Sequence, residues 1–231
     1  MKYKNIYNQL IFSSEGRKGD AIKKREALYI YNFLKNKNIK NTLEVGFADG
    51  FSAAHIMAAT NGIHYAIDPF QKDIYSDSGL KNIKKLGLLH RLKFENKCSE
   101  IILPKLVEKG MKMDFIFIDG DHKFDSIFID FFYADKLINI GGYILFHDVC
   151  MESTQHVISW IYNNKNYKIK VMLELNLVLV KKLRDDNRKW DHFVKFRPYP
   201  TFKKNYRLRI LKCLTSKFRK LILIIRKNWK G

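Results

Sequence analysis

Four consecutive apolar residues, Phe115 to Ile118, run straight into Asp119-Gly-Asp-His122, and no other stretch restricts the fold of this chain as tightly. A run this short that is bounded by glycine reads as a strand buried on both faces, although periodicity alone does not separate it from buried helix. Such a strand belongs in the middle of a parallel sheet. Its C-terminal end then delivers Asp119, Asp121 and His122 to the edge where open parallel sheets bind ligands. A second strand, residues 143–146, ends in the same way with His147 and Asp148. Two neighbouring strands ending in acid-plus-imidazole pairs point to metal or proton-transfer chemistry.

The flanking sequence alternates between the two periods. Residues 13–16 read as a loop, with a lid as the alternative. Ile22, Leu28, Ile30, Tyr31 and Leu34 then recur at helical spacing, with Asp20 as N-cap. A short strand at 42–46 follows, then a Gly46–Gly50 loop and a helix opened by Ser52. Strands at 64–67 and 92–95, helices near 80–86 and from Lys97, and a helix carrying Ile127, Phe128, Phe131, Phe132 and Leu137 complete five β-α units. A last helix around Val157 to Ile161 precedes a β-rich stretch, 169–180, which reads as a closing hairpin. The expected class is α/β: a doubly wound, Rossmann-like, mostly parallel sheet with a closing antiparallel hairpin and a basic C-terminal amphipathic helix.

With 231 residues and 46% hydrophobic content, one large domain is expected, here placed at 1–191 with an extension at 192–231. Thirteen of the 43 Lys and Arg follow His192 with no acid among them, so residues 1–191 carry only about +7 of the net +20. Basicity is mainly a property of the tail, which argues for an anionic surface near the tail rather than at the active site. Three cysteines without CxxC spacing suit reduced thiols. No apolar run has signal-peptide or membrane-spanning length, so the chain is expected in the cytoplasm, peripheral at the inner membrane surface.

The loop Glu44-Val-Gly-Phe-Ala-Asp-Gly50 lacks the third glycine of a pyrophosphate-binding fingerprint and begins with an acid. A carboxylate repels phosphate but suits an ammonium or sulfonium group. Asp68, about twenty residues on, stands where such folds accept ribose hydroxyls. A nucleoside with a positive charge and no phosphate points to S-adenosylmethionine. In order, the motifs E-x-G-x-x-x-G, I-D-P, I-D-G-D-H and G-G-x-I-x-F-H-D resemble the class I S-adenosylmethionine-dependent methyltransferases. Among these they look most like the metal-dependent macrolide-sugar O-methyltransferases of the macrocin and mycinamicin type, over roughly residues 40–180. The resemblance implies Glu44, Gly46, Gly50 and Ser52 around the methionine end, Asp68 on the ribose and Ser99 near the adenine.

It also implies divalent-metal ligands at Asp119, His147 and Asp148 and a general base at His122. A sugar hydroxyl ionises far above neutrality, so it needs a cation, a base or both. Two objections arise from the residues themselves. Consecutive strand residues face opposite ways, so His147 and Asp148 share an ion only if the strand has already ended. An imidazole at 147, where the sugar enzymes keep a carboxylate, leaves magnesium or manganese open, since imidazole favours the latter, and leaves His147 either a ligand, a residue behind the ligands or no part of the ion site. Asp121 either orients His122 or stays in water, Asp125 reads as a helix cap, and Asp130 as a solvated side chain. The absence of an N/D-P-P-Y/F motif after residue 118 disfavours methylation of nucleic-acid bases and favours oxygen as acceptor, which the resemblance implies to be a hydroxyl of a sugar or glycoconjugate. In the tail, Arg197 to Thr201 reads as a linker. Leu211, Leu214, Phe218, Leu221, Ile222, Ile225 and Trp229 then form an apolar stripe amid lysines and arginines. Residues 205–230 thus fit an interfacial membrane anchor, with packing on the domain or on a second copy, binding to nucleic-acid phosphates, and disorder in isolation as rival readings.

Overall fold

The structure, a computed structural model, describes residues 3–13, 21–195 and 197–202. The N-cap expected at Asp20, most of the 13–16 loop and the stripe at 205–230 lie outside the described residues. Two helices open the described chain, α1 (Tyr3–Gln9) and α2 (Lys24–Leu34). The β-α alternation then runs β1 (Asn41–Val45), α3 (Phe51–Ala59), β2 (Ile63–Ile67), α4 (Ser78–Lys85), β3 (Leu92–Glu95), α5 (Ser99–Glu108), β4 (Met113–Ile118), α6 (Phe124–Leu137) and β5 (Ile138–Phe146). Helix α7 (Glu152–Asn164) leads to β6 (Tyr167–Met172) and β7 (Leu177–Lys182).

The seven strands lie in the order β3-β2-β1-β4-β5-β7-β6. The first five pair in parallel, and β7 enters antiparallel between β5 and β6. The expected sheet and its closing hairpin are therefore the ones observed. The order reverses between β1 and β4, so the loops after these two strands open a crevice at the sheet's C-terminal edge, as doubly wound sheets do.

Strand β4 has no solvated face. Phe115 and Phe117 pack with α1 to α4, while Ile116 and Ile118 pack with α5 to α7. This two-sided burial is why its sequence is a continuous apolar run rather than an alternation. The same alternation sends Leu43 and Val45 of β1 into the α5–α7 layer. The described residues beyond 191 do not behave as a spacer. Asn163 Nδ2 donates to Arg197 O (2.7 Å), Tyr199 N donates to Ser159 Oγ (3.0 Å), and Phe202 is buried in the α5–α7 layer. The linker expected at 197–201 is thus packed on α7, because the rings of Tyr199 and Phe202 find apolar cover there. Among the described residues no helix is long and apolar enough to cross a membrane.

Candidate active site

The crevice holds a cavity of about 980 Å³, at the upper end of what small-molecule sites occupy. One wall is the loop after β1. Gly46 has φ +87°, and a Cβ there would lie 2.0 Å from the carbonyl oxygen of Asp119. Only glycine permits the loops after β1 and β4 to approach this closely. Gly50 serves the turn instead: it caps α3 with φ +72° and is packed under Gly79 and Phe47.

Asp68, at the end of β2, lines the cavity and holds this loop. Its Oδ2 accepts from Phe47 N (2.9 Å) and Ala48 N (2.8 Å), and its Oδ1 accepts from Phe70 N (2.7 Å). Two loop amides that a pyrophosphate would need are therefore already engaged by a carboxylate. The loop is built for a ligand without phosphate at this point.

Glu44 corrects its expectation. Strand alternation turns it away from Val45 into the α3 layer, where it is 0% exposed and outside the cavity wall. Its Oε1 lies 3.3 Å from His64 Nε2, with Ser52 close enough to favour the ionised form, although neither carboxylate oxygen has an aligned hydrogen bond. Burial raises its pKa, against the lowering effect of His64 and Ser52. Glu44 and Ser52 thus brace the β1–α3 corner from beneath. Neither residue lines the cavity in which the resemblance would place a methionine end.

At the other end of the cavity, Ser99 begins α5, with Cys98 at the cap position. Its side chain lies near Asp130, a residue read from sequence as solvated but in fact 2% exposed. Asp130 lies on the buried stripe of α6 with Ile127, Phe131 and Ala134, and that i, i+3, i+4 relation was a signal in the sequence. Burial pushes its carboxyl up to about 7, partly opposed by Ser99. An acid whose folded pKa is raised holds its proton where the unfolded chain has lost it. Its stability contribution is therefore full below the ordinary value of 3.8 and is lost as pH rises through about 7. Asp130→Asn is expected to remove that decline. Urea midpoints of wild type and variant, compared across the acid-to-neutral range, should diverge in the variant's favour as pH rises.

The chemical end lies between β4 and β5. Strand β5 ends at Phe146, and Asp148 adopts φ +52°, a left-handed conformation that aspartate enters more readily than most side chains. That turn resolves the alternation objection, since His147 and Asp148 then face the same cluster. His147 Nδ1 lies 3.1 Å from Asp119 Oδ1 and 3.4 Å from Asp148 Oδ2. His122 Nε2 lies 2.9 Å from Asp148 Oδ2 and 3.7 Å from Asp119 Oδ1. One potential ligand atom from each of Asp119, His122 and Asp148 falls within 4.8 Å of the other two. The amide of Asn176, just before β7, steadies the cluster: its Nδ2 donates to Asp148 Oδ1 (2.6 Å).

The charges explain one another. Hydrogen bonding to Asp119 and Asp148 raises His122 to about 10, against the opposing effect of burial. Burial disfavours a charged His147, yet Asp119, Asp148 and Glu26 outweigh it and raise the ring to about 12. Burial likewise opposes ionisation of Asp148, but the two imidazoles hold it well below the usual carboxylate range. His122, His147 and Asp148 thus favour one another's charged forms. Asp121 takes no part: it accepts from Lys123 and Ser126 (both 2.9 Å) on the exposed rim. Asp125 lies inside the first turn of α6, whose cap is Lys123.

Glu26 was missed from the sequence. It is 1% exposed on α2, and its Oε2 lies 3.3 Å from His147 Nε2. It sits on one stripe with Ile30 and Leu34, and an acid on an apolar stripe was the available signal.

A divalent ion fits these residues. His147 Nδ1 is buried with no partner in hydrogen-bonding geometry, although two carboxylates flank it. Two carboxylates and an imidazole suit manganese, iron or zinc better than magnesium.

Sheet order, crevice and loop together define the Rossmann-like methyltransferase fold. Residues 43–149 match the family model described as a methyltransferase domain. Among curated proteins the chain is similar to caffeoyl-CoA O-methyltransferase 3 of Nicotiana tabacum, 31% identical over 128 residues, covering 52% of this chain and 50% of that one. It is also similar to the flavonoid 3',5'-methyltransferase of Vitis vinifera, 30% identical over 126 residues and covering 52% of each. The chain thus spans about half the length of the curated relatives it matches. Among solved structures it resembles the O-methyltransferase TomG of Streptomyces achromogenes, in complex with SAM, with TM-score 0.63, 16% identity and coverage of 72% and 83%. The Bacillus cereus O-methyltransferase in complex with SAH gives 0.62, 18%, 71% and 84%. These similarities support the methyltransferase class expected from the motifs, but not its macrolide-sugar subgroup: the two curated relatives are named for caffeoyl-CoA and a flavonoid.

Proposed function

We propose that the chain is an S-adenosylmethionine-dependent O-methyltransferase that uses a divalent cation and His122 to activate an acceptor hydroxyl. The observation carrying this reading is that Asp119, His122 and Asp148 converge at one end of a cavity whose other walls include Gly46, Asp68 and Ser99. The nucleoside would lie between Asp68 and Ser99, with its sulfonium directed toward the acids. Oδ1 of Asp68 keeps a lone pair for a ribose hydroxyl beyond its bond to Phe70.

Asp119 and Asp148, with an imidazole, would hold the cation, which lowers the pKa of a bound hydroxyl and stabilises the developing alkoxide. Neutralising these two acids also removes the cause of the raised His122 pKa. His122, whose side chain is 41% exposed at the cavity, then takes the acceptor proton at Nε2. The β1 and β4 loops would position the two reactants, and holding them in line removes much of the entropic cost of the transfer.

The acceptor is a sugar or glycoconjugate hydroxyl by motif resemblance, and a phenol by analogy with the curated relatives. Methyl transfer assayed against nucleotide-sugars, lipid-linked glycans and catechol-type phenols, with and without chelator, separates the two. No turnover on any of them, together with no binding of S-adenosylhomocysteine at sub-millimolar concentration, refutes the assignment. His122→Ala is expected to lower kcat by about 10²–10⁴ at neutral pH while S-adenosylhomocysteine affinity stays within about two-fold, by calorimetry.

A further inference from the structure

Glu26 does more than close the first turn of α2. Its Oε2 accepts from Lys23 N (2.7 Å), as a capping-box glutamate does. That task needs only one amide and suits a solvent-exposed side chain. Glu26 is instead buried in the cavity wall, with the same Oε2 3.3 Å from His147 Nε2. Helix α2 also lies outside residues 43–149, so this carboxylate comes from a part of the chain beyond the matched domain.

The ring of His147 is thereby approached from two sides. Glu26 faces Nε2, while Asp119 Oδ1 and Asp148 Oδ2 flank Nδ1 at 3.1 and 3.4 Å without an aligned hydrogen bond. The other charged neighbours are Lys23, whose charge also acts on Glu26, and Arg25, whose Nε is 3.8 Å from Glu26 Oε1, so that Oε2 is shared between the Lys23 amide and the imidazole. An imidazole that donates one N–H to a carboxylate keeps its lone pair on the other nitrogen, and such partners fix the rings of metal-binding histidines.

We infer that Glu26 is the positioning residue of this site: it accepts the Nε2 proton of His147 and turns the Nδ1 lone pair toward the space between Asp119 and Asp148, where a divalent cation of the manganese, iron or zinc class binds. This rests on the cation reading given under Proposed function. It also accounts for an imidazole at 147, since the negative charge that a carboxylate would carry there is supplied from α2.

The test uses the full chain, metal-stripped and labelled with nitrogen-15 in histidine, titrated with Mn²⁺. Glu26→Gln and Glu26→Ala are each expected to weaken Mn²⁺ binding by about 10- to 100-fold. Affinity for S-adenosylhomocysteine should stay within about two-fold. Wild type should show a downfield imidazole N–H proton at Nε2, assigned by its loss in His147→Gln and lost also in Glu26→Ala. Mn²⁺ affinity within about two-fold of wild type in both Glu26 variants overturns the inference. If wild type takes up no Mn²⁺, the cation reading fails on its own, and the ring signal decides for Glu26: retained in Glu26→Ala, it refutes the positioning role. Should Glu26→Ala fail to fold, the isosteric Glu26→Gln carries both readouts.

Discussion

Asp119→Asn is expected to lower methyl transfer by roughly 10³-fold, the equivalent of about 4 kcal/mol at the transition state. The size follows from where the side chain stands. Asp119 leaves the end of β4, its amide donating to Val45 O (2.9 Å) and its carbonyl lying against Gly46. Its carboxylate meets His147 Nδ1 at 3.1 Å and faces His122. The amide variant keeps the shape but gives up the charge that would hold a cation. Asp148→Asn should behave alike, and the two changes together should cost much less than the sum of their separate effects, because they disable one unit. Turnover with saturating Mn²⁺, Mn²⁺ affinity and circular dichroism are the measurements. Activity within about tenfold of wild type in both folded variants would remove the cation from the mechanism.

Gly46→Ala should be the most damaging single-methyl change in the cavity wall. The new Cβ meets a backbone carbonyl at 2.0 Å, and the residue must also adopt φ +87°. Left-handed backbone costs a non-glycine residue about 1–2 kcal/mol, and overpacking adds about 1–3 kcal/mol. A total near 2–5 kcal/mol corresponds to a melting temperature lower by about 5–15 °C in a chain of this size. Because the clash separates the cofactor loop from Asp119, binding of S-adenosylhomocysteine should weaken by at least about 100-fold. Gly87→Ala is the control. It shares a left-handed backbone (φ +71°) but has nothing within 4 Å of a new Cβ, so it should show only the conformational cost. Equal melting temperatures for the two variants would contradict the close approach of the β1 and β4 loops.

The ordered elements were legible because they depend on neighbours in sequence. The run at 115–118, the glycines at 46 and 50, and the helical stripes each record a local environment, and the sheet arranges them as expected. Asp119, His122, His147 and Asp148 were legible as a group for the same reason: parallel strands put their C-terminal ends at one edge, so residues just past β4 and β5 must meet. Their roles as ligands and base come from chemistry and resemblance, and the substitutions above test them.

What the sequence could not supply is the direction in which a polar side chain points once the layers close. Glu44 follows an apolar residue in a strand, and only the placement of α3 above β1 turns it into a buried partner of His64 and Ser52. Asp130 and Glu26 both sit on apolar stripes, where periodicity marks the position as buried but not what satisfies the charge. Glu26 and His147 are 121 residues apart, and no local pattern relates them. Period and punctuation in the chain determined the doubly wound sheet and the edge on which its polar residues gather, since both follow from short-range sterics and burial. Which carboxylate meets which imidazole was decided by tertiary packing alone, because a buried charge is stable only where a partner arrives from another element.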